Sequence, residues 1–255
     1  RLDRVEARTQ RVEHFAYDPH ARDGVDQNFI RAVCEDGSGT LWVGTFARGL
    51  SRWEARGQQK IFSKRYVHVP ARATSLSNNF VTALHLDRTG QLWVGTMGGV
   101  SCFDAGSEGF LNYRNDQNDA NSLSDNNILA LYEDRQGLLW VATYKGGVNR
   151  LDRRSGKFSA FQHDPQNANS LSHNSVLSIH QDDEGLLWFG TASGLNKFDP
   201  HTQSFTRYDE KDGLANAFIY GILGDDEGNL WLSTNQGLSK FNDKLPTGKK
   251  FRNYD

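Results

Sequence analysis

Apolar residues in this chain come in short runs of four to seven, broken by Gly, Asp and Asn. The unit from Asn79 to Tyr113 shows the plan. Phe80-Val81-Thr82-Ala83-Leu84-His85-Leu86 is apolar and β-branched enough for a strand. Asp87-Arg88-Thr89-Gly90 follows, with Asp first and Gly last as type I turns favour. Leu92-Trp93-Val94-Gly95-Thr96 predicts a second strand, Met97-Gly98-Gly99 a turn, and Val100 to Phe103 a third strand. A variable loop, Asp104 to Gly109, leads to Phe110-Leu111-Asn112-Tyr113, the fourth. None of these runs is long enough to suggest a helix.

The unit recurs. Leu-Trp-x-x-Thr stands at Leu41 to Thr45, Leu92 to Thr96, Leu139 to Thr143, Leu187 to Thr191 and Leu230 to Thr234, with spacings of 51, 47, 48 and 43 residues. Four short antiparallel strands at such a period predict an all-β chain of β-propeller blades. Trp42, Trp93, Trp140, Trp188 and Trp231 occupy one column, and the expectation for them is structural: inter-blade core rather than a stacking platform for a ligand. The second strand is apolar on both sides, so both its faces should be buried between blades.

The first-strand turns Asp36 to Gly39, Asp134 to Gly137, Asp182 to Gly185 and Asp225 to Gly228 repeat the Asp-x-x-Gly pattern. They lack the alternating oxygen ligands and distal Glu of a calcium loop, so turn chemistry accounts for them. Polar loops precede the first strands: Ser75-Leu76-Ser77-Asn78-Asn79, Ser122-Leu123-Ser124-Asp125-Asn126 and Ser170-Leu171-Ser172-His173-Asn174. Their Asp, Asn and Ser side chains can bond nearby backbone. The lone Leu reads as a plug that pins the loop to its blade. Thr after the Trp should bond a neighbouring backbone group.

The expected organisation is a single propeller region over residues 1–255, with blades at about 19–68, 69–115, 116–163, 164–210 and 211–255. Arg1-Leu2-Asp3 parallels Arg150-Leu151-Asp152, and Val12 and Phe15 parallel Phe158 and Phe161. Residues 1–18 therefore read as a half blade of third and fourth strands. Five blades and a half would leave long unpaired edges if open, which suggests a slice of a larger ring.

Charge and composition then narrow the functions. A net charge of −2 with no basic run argues against nucleic acid. No apolar run approaches the roughly 18 residues of a membrane span, so no membrane contact by this segment is expected. Cys34 and Cys102 lie in different columns and read as two buried free thiols. No Ser-His-Asp order, nucleotide loop or zinc-protease helix appears, so no catalytic residue and no cofactor is expected. One column, eight residues before each Trp, holds Cys34, His85, Tyr132, His180 and Leu223. His85 and His180 are the weak alternative for a metal, which would need a third ligand.

Candidate ligand-facing positions lie where the loops before each first strand meet the loops between second and third strands. They are Arg31, Phe46, Arg48, Phe80, Met97, Tyr144, Lys145, His173, Phe218, Tyr220, Asn235 and Gln236. Aromatic, amide and basic groups around a shallow mouth would suit an oligosaccharide or an acidic glycan.

Ser-Leu-Ser-x-Asn, Asp-x-x-Gly-x-Leu-Trp-Val-Gly-Thr, Gly-Gly-Val/Leu-x-Arg-Leu/Phe-Asp and Phe-x-x-Tyr, taken together, resemble the two-component regulator propeller repeat over essentially the whole chain. The resemblance implies a seven-bladed ring and the periplasmic sensor region of a bacterial hybrid two-component system or diguanylate cyclase. The implied partners are an oligosaccharide or other small ligand, the remaining blades and output domains of the parent receptor, and a second copy in a homodimer. Two other classes stay open: a lyase-type propeller enzyme using channel His residues and a metal, and a purely protein-binding propeller scaffold.

Overall fold

The computed structural model describes residues 2–5, 12–15, 29–56 and 59–254. The rest of the expected N-terminal half blade, and the loop leading into the first full blade, lie outside the described residues. The chain falls into two compact units, Arg1–Tyr113 and Arg114–Asp255.

The first unit begins with a two-stranded antiparallel pair, Leu2–Val5 with Val12–Phe15. Two four-stranded antiparallel blades follow. Blade one holds Ile30–Glu35, Leu41–Thr45, Leu50–Arg56 and Gln59–Tyr66; blade two holds Val81–Leu86, Leu92–Thr96, Gly99–Asp104 and Gly109–Tyr113. The second unit has three more. Blade three is Ile128–Glu133, Leu139–Thr143, Val148–Asp152 and Lys157–Phe161. Blade four is Val176–Gln181, Leu187–Thr191, Gly194–Asp199 and Ser204–Tyr208. Blade five is Ile219–Gly224, Leu230–Thr234, Gly237–Phe241 and Phe251–Tyr254. The helix among the described residues is a single 3₁₀ turn, Glu210–Asp212, capped by Asp209. The fold is an all-β propeller of four-stranded blades.

All five second strands span the expected residues. The third strands of blades one and three start directly after Gly49 and Gly147, which sit at φ of 78° and 75°. A Cβ there would lie 2.2 Å from the Tyr66 carbonyl oxygen and 2.1 Å from that of Phe161, so only glycine fits.

Within each unit, one blade's Trp face is covered by the next blade. Trp42, Leu50 and Tyr66 of blade one pack with Leu76, Val81, Leu92, Val94, Phe103 and Phe110 of blade two. Trp140 and Val148 pack with Leu171, Val176 and Phe189, and Trp188 and Leu195 with Leu214, Ile219 and Leu232. The plug leucines Leu76, Leu123 and Leu171 have no exposed surface. Trp42, Trp93, Trp140 and Trp188 are buried, whereas Trp231 is half-buried. At roughly 25 cal/mol per Å² of apolar surface, each of these rings is among the larger single contributions to its interface.

The first-strand turns do more than reverse the chain. In every blade the Asp carboxylate takes the indole N–H of the Trp six residues on: Asp36–Trp42 at 3.1 Å, Asp87–Trp93 at 2.9 Å, Asp134–Trp140 and Asp182–Trp188 at 2.7 Å, and Asp225–Trp231 at 2.8 Å. The other carboxylate oxygen accepts backbone N–H groups inside the turn, such as Gln136 at 3.0 Å and Leu138 at 2.9 Å for Asp134. Burial pushes the carboxyls of Asp36, Asp87 and Asp225 up, and these hydrogen bonds outweigh it and hold all three below the usual range. On the third strand, Arg52, Arg150, Lys197 and Lys240 lie opposite the Trp and over its ring, 5.3–5.9 Å from the centroid. Blade two places Cys102 opposite Trp93 instead.

An acidic residue in the third-to-fourth-strand loop can then staple a blade to its predecessor. Glu108 of blade two takes Arg52, at 3.2 Å, and Lys64 of blade one. Asp243 of blade five takes Lys197 at 2.6 Å and the Tyr208 hydroxyl at 2.8 Å from blade four, with Lys250 of its own blade at 2.5 Å. Burial raises the Asp243 carboxyl, but the Lys197, Lys250 and Tyr208 hydrogen bonds bring it down to about 2.

Two expectations follow. Asp134→Ala strips the indole and two turn amides of Asp134 of their acceptor, and it should lower stability by about 2–4 kcal/mol in urea unfolding. The Asp243 carboxyl is depressed on folding, so its contribution is complete above about pH 4 and is lost as pH falls toward 2. Asp243→Asn should therefore flatten the acid limb of thermal stability between about pH 4 and 2, relative to the parent chain.

Candidate functional site

The five Leu-Trp strands run from the Asp turn at one end to a Thr at the other. Each Thr hydroxyl donates to the carbonyl of the glycine that opens or precedes the third strand: Gly49, Gly99, Gly147, Gly194 and Gly237, at 2.8–3.1 Å. It also accepts an N–H from within the same loop, closing the tip. The Ser-Leu-Ser loop docks on this closure, with Ser77–Thr96 and Ser172–Thr191 hydroxyl pairs at 2.8 and 2.9 Å. The residue after it, or after Gly213-Leu214-Ala215 in blade five, caps the chain entering the first strand: Asn78, Asp125 and Asn216 accept the N–H of Phe80, Asn127 and Phe218 at 2.9–3.2 Å. Backbone bonds from Phe46 to Phe29, Met97 to Phe80 and Tyr144 to Asn127 bring the second-to-third-strand loops to the same end as the first-strand starts.

In the first unit this end carries exposed Phe46, Met97, Arg31 and Arg48, with Phe80 half-buried. The Phe46 and Phe80 rings meet edge to face at 4.9 Å. In the second unit it carries Tyr144 and Lys145, His173, Phe218 and Tyr220, Asn235 and Gln236. Phe218 and Tyr220 have ring centroids 4.8 Å apart, and the Tyr220 hydroxyl donates to Asn235 Oδ1 at 2.9 Å. Lys145 lies over the Tyr144 ring, and its backbone N–H is held by Asp125 at 2.8 Å. His173 has a second task. Its Nδ1 accepts the Ser175 N–H at 2.9 Å, as Asn or Asp does in blades two, three and five, so the neutral ring carries its proton on Nε2.

Sequence pattern missed one device. Every first strand has a β-bulge at the same step, between Ile30 and Ala32, Val81 and Ala83, Ile128 and Ala130, Val176 and Ser178, and Ile219 and Gly221. The extra residues are Arg31, Thr82, Leu129, Leu177 and Tyr220. A bulge re-aims a side chain without breaking the strand; at this step Arg31 and Tyr220 are exposed, whereas Thr82, Leu129 and Leu177 are half-buried.

The family's sequence profile, described as two component regulator propeller, matches residues 24–47, 75–98, 122–145, 170–193 and 213–236. The chain belongs to this family. Each matched regulator-propeller repeat ends in the loop after the second strand, and the last four begin in the loop before the first. Among solved structures, the extracellular domain of a hybrid two component system from B. thetaiotaomicron is 27% identical, with a TM-score of 0.71, over 91% of this chain and 29% of that one. A second such domain from B. thetaiotaomicron is 22% identical with a TM-score of 0.57, over 98% of this chain and 40% of that one. The regulator-propeller chain thus spans well under half of either domain. A catalytically inactive virginiamycin B lyase from Staphylococcus aureus, solved with quinupristin, shares the fold at 12% identity and a TM-score of 0.70, over 99% of this chain and 76% of that one. No curated protein matches the chain.

Within the repeats, His85 and His180 each lie opposite the Trp of the second strand and are half-buried. Burial pushes the His180 imidazole below its ordinary value, with Asp182 and Asp183 opposing. Among the described residues, no group of three or more His, Cys, Asp or Glu side chains could hold a metal ion. Cys34 and Cys102 are thiols outside any disulfide, and they are half-buried rather than buried as expected. Burial, with Asp36 beside it, pushes the Cys34 thiol up to about 12. Clefts of about 320 Å³ between blades one and two, and of about 120 and 170 Å³ between blades four and five, sit at the opposite end, among the Asp turns. Their carboxylates Asp36, Asp182 and Asp225 are already committed to the Trp latches. No helix among the described residues is long and apolar enough to cross a membrane.

If His173 serves as a cap, His173→Asn should keep stability within about 0.5 kcal/mol, while His173→Leu should lose about 1 kcal/mol by urea unfolding.

Proposed function

We propose that this chain is the ligand-sensing propeller region of a bacterial signal-transduction receptor. It works in the periplasm, it binds an oligosaccharide, and it performs no chemistry on it. The remaining blades and the output domains belong to the parent receptor, which acts as a homodimer. One observation carries the ligand reading: on a frame whose Asp, Trp, Thr and Gly positions repeat, the exposed side chains at the loop end change from blade to blade. They are rich in aromatic rings with polar groups alongside, as at Tyr220, which rests against half-buried Phe218 and bonds Asn235. Such rings cover the apolar face of a sugar while neighbouring amides reach its hydroxyls. The extracellular placement of the B. thetaiotaomicron domains supports the periplasmic reading.

The lyase reading has less support. The likeness to the Staphylococcus aureus enzyme is one of fold, and His85 and His180 bring no third ligand among the described residues.

Isothermal titration of the full chain against a panel of neutral and acidic oligosaccharides tests this. At least one should bind saturably, and Phe46→Ala or Tyr220→Ala should weaken it about tenfold or more with unfolding unchanged. Binding that neither substitution alters would move the site elsewhere. Turnover of a bound sugar would overturn the non-catalytic reading.

A further inference from the structure

We infer that the loop end of the first unit recognises a sugar carboxylate, and that its ligand is a uronic-acid unit of an acidic oligosaccharide. The inference rests on the oligosaccharide reading above and names which class of sugar the first unit takes.

The apolar part comes first. Phe29 is 70% exposed, Phe46 43% and Met97 41%, in a chain that buries most of its large side chains. They are not loose. Phe46 is bonded through its backbone N–H to the Phe29 carbonyl at 3.0 Å, Met97 to the Phe80 carbonyl at 3.1 Å, and the Phe46 ring rests edge-on against Phe80. A fixed group of two exposed rings, a half-buried third and an exposed thioether marks a contact surface. Phenylalanine offers a sugar only its face, so a second kind of group must supply polar recognition.

Arg31 and Arg48 supply it. Arg31 is the extra residue of the blade-one bulge, two positions from Phe29. Arg48 lies in the same loop as Phe46, and its backbone N–H is fixed by the Thr45 hydroxyl at 3.1 Å. Both are exposed. Neither guanidinium has a carboxylate partner among the described residues, whereas Arg52, Arg135 and Arg153 pair with Glu108, Asp183 and Glu133. The described part of this blade end, Phe29 to Arg31 and Phe46 to Arg48, contains no acid. Two guanidiniums with no carboxylate partner among the described residues, beside an aromatic surface, fit a ring that bears a carboxylate: the ring stacks on Phe, and the carboxylate takes a two-pronged guanidinium bond. The second unit is built differently. Its basic residue Lys145 stands next to Asp125, and its aromatic pair is flanked by the amides of Asn235 and Gln236, a set suited to neutral hydroxyls.

The test is titration calorimetry on the full chain with three probes: trigalacturonate, the neutral trisaccharide of the same hexose, and a pentaglutamate peptide. Trigalacturonate should bind most tightly of the three and weaken with added salt. Arg31→Gln and Arg48→Gln should each weaken it about tenfold, and the double variant about a hundredfold, with the unfolding midpoint unchanged. Arg154→Gln, in the second unit, should have no effect. Three results would overturn the inference. If the neutral trisaccharide binds as tightly, or the arginine variants leave trigalacturonate unaffected, the carboxylate assignment is wrong and the oligosaccharide reading stands. If the peptide matches trigalacturonate and depends on the same arginines, the surface reads a protein acid rather than a sugar. If no sugar in this set or in the wider panel binds, both readings fall.

Discussion

Everything in this chain hangs on a carboxylate that bonds an indole. The Asp opening each first-strand turn holds the turn's own amides with one oxygen and the Trp N–H with the other. It thereby fixes the hairpin and orients the largest side chain of the inter-blade core in one step. A buried indole N–H without an acceptor would cost a few kcal/mol, and a turn Asp without the Trp would be an ordinary surface residue. The two are useful together, six residues apart, which is why they recur together five times. The cation lying over the Trp ring from the third strand adds a second constraint from across the sheet, and in blades two and five an acid from the next loop draws that cation toward its neighbour.

Much of this was legible before the structure. The period, the strand order and the Leu-Trp strands followed from hydrophobic pattern, because a strand buried on both faces has few alternatives. The plug leucines were legible for the same reason: one apolar residue in a polar loop has nowhere to go but inward. Asp36 and its counterparts were read only as turn residues. The bond to Trp spans a hairpin, and spacing alone does not show which way a carboxylate faces. The basic residue before Leu151 or Phe198 could be read as part of a repeat but not as a lid on the ring, since cross-strand register is a tertiary fact. Phe80 reads as strand but stands outside it, because its carbonyl serves the Met97 amide across the loop end.

The candidate site was half legible. Positions such as Phe46, Tyr144 and Tyr220 emerged by subtraction: they are what remains when the repeating frame is removed. The bulge could not be read, because one extra residue in a strand leaves no mark on a six-residue alternation. It nonetheless decides that Arg31 and Tyr220, and not their neighbours, occupy the extra position at the loop end. His173 shows the converse limit. Its variability within the repeat made it a ligand candidate, yet its ring nitrogen does the work that Asn and Asp oxygens do elsewhere.

The division between ends has a physical consequence. Tolerance at the loop end comes from the Thr closure, which needs only a threonine hydroxyl and two backbone groups and therefore makes no demand on the side chains beside it. The Asp end has no such freedom, since its carboxylates are spent on the core. A repeat built this way can exchange a Phe for a Tyr, or an Arg for a Lys, at its loop end without touching the latch that holds the blade. Side chains at the loop end can then diverge from blade to blade while stability does not, and that separation is why the proposed recognition is placed beside Thr45 and Thr234 rather than in the clefts around Trp42 and Trp188.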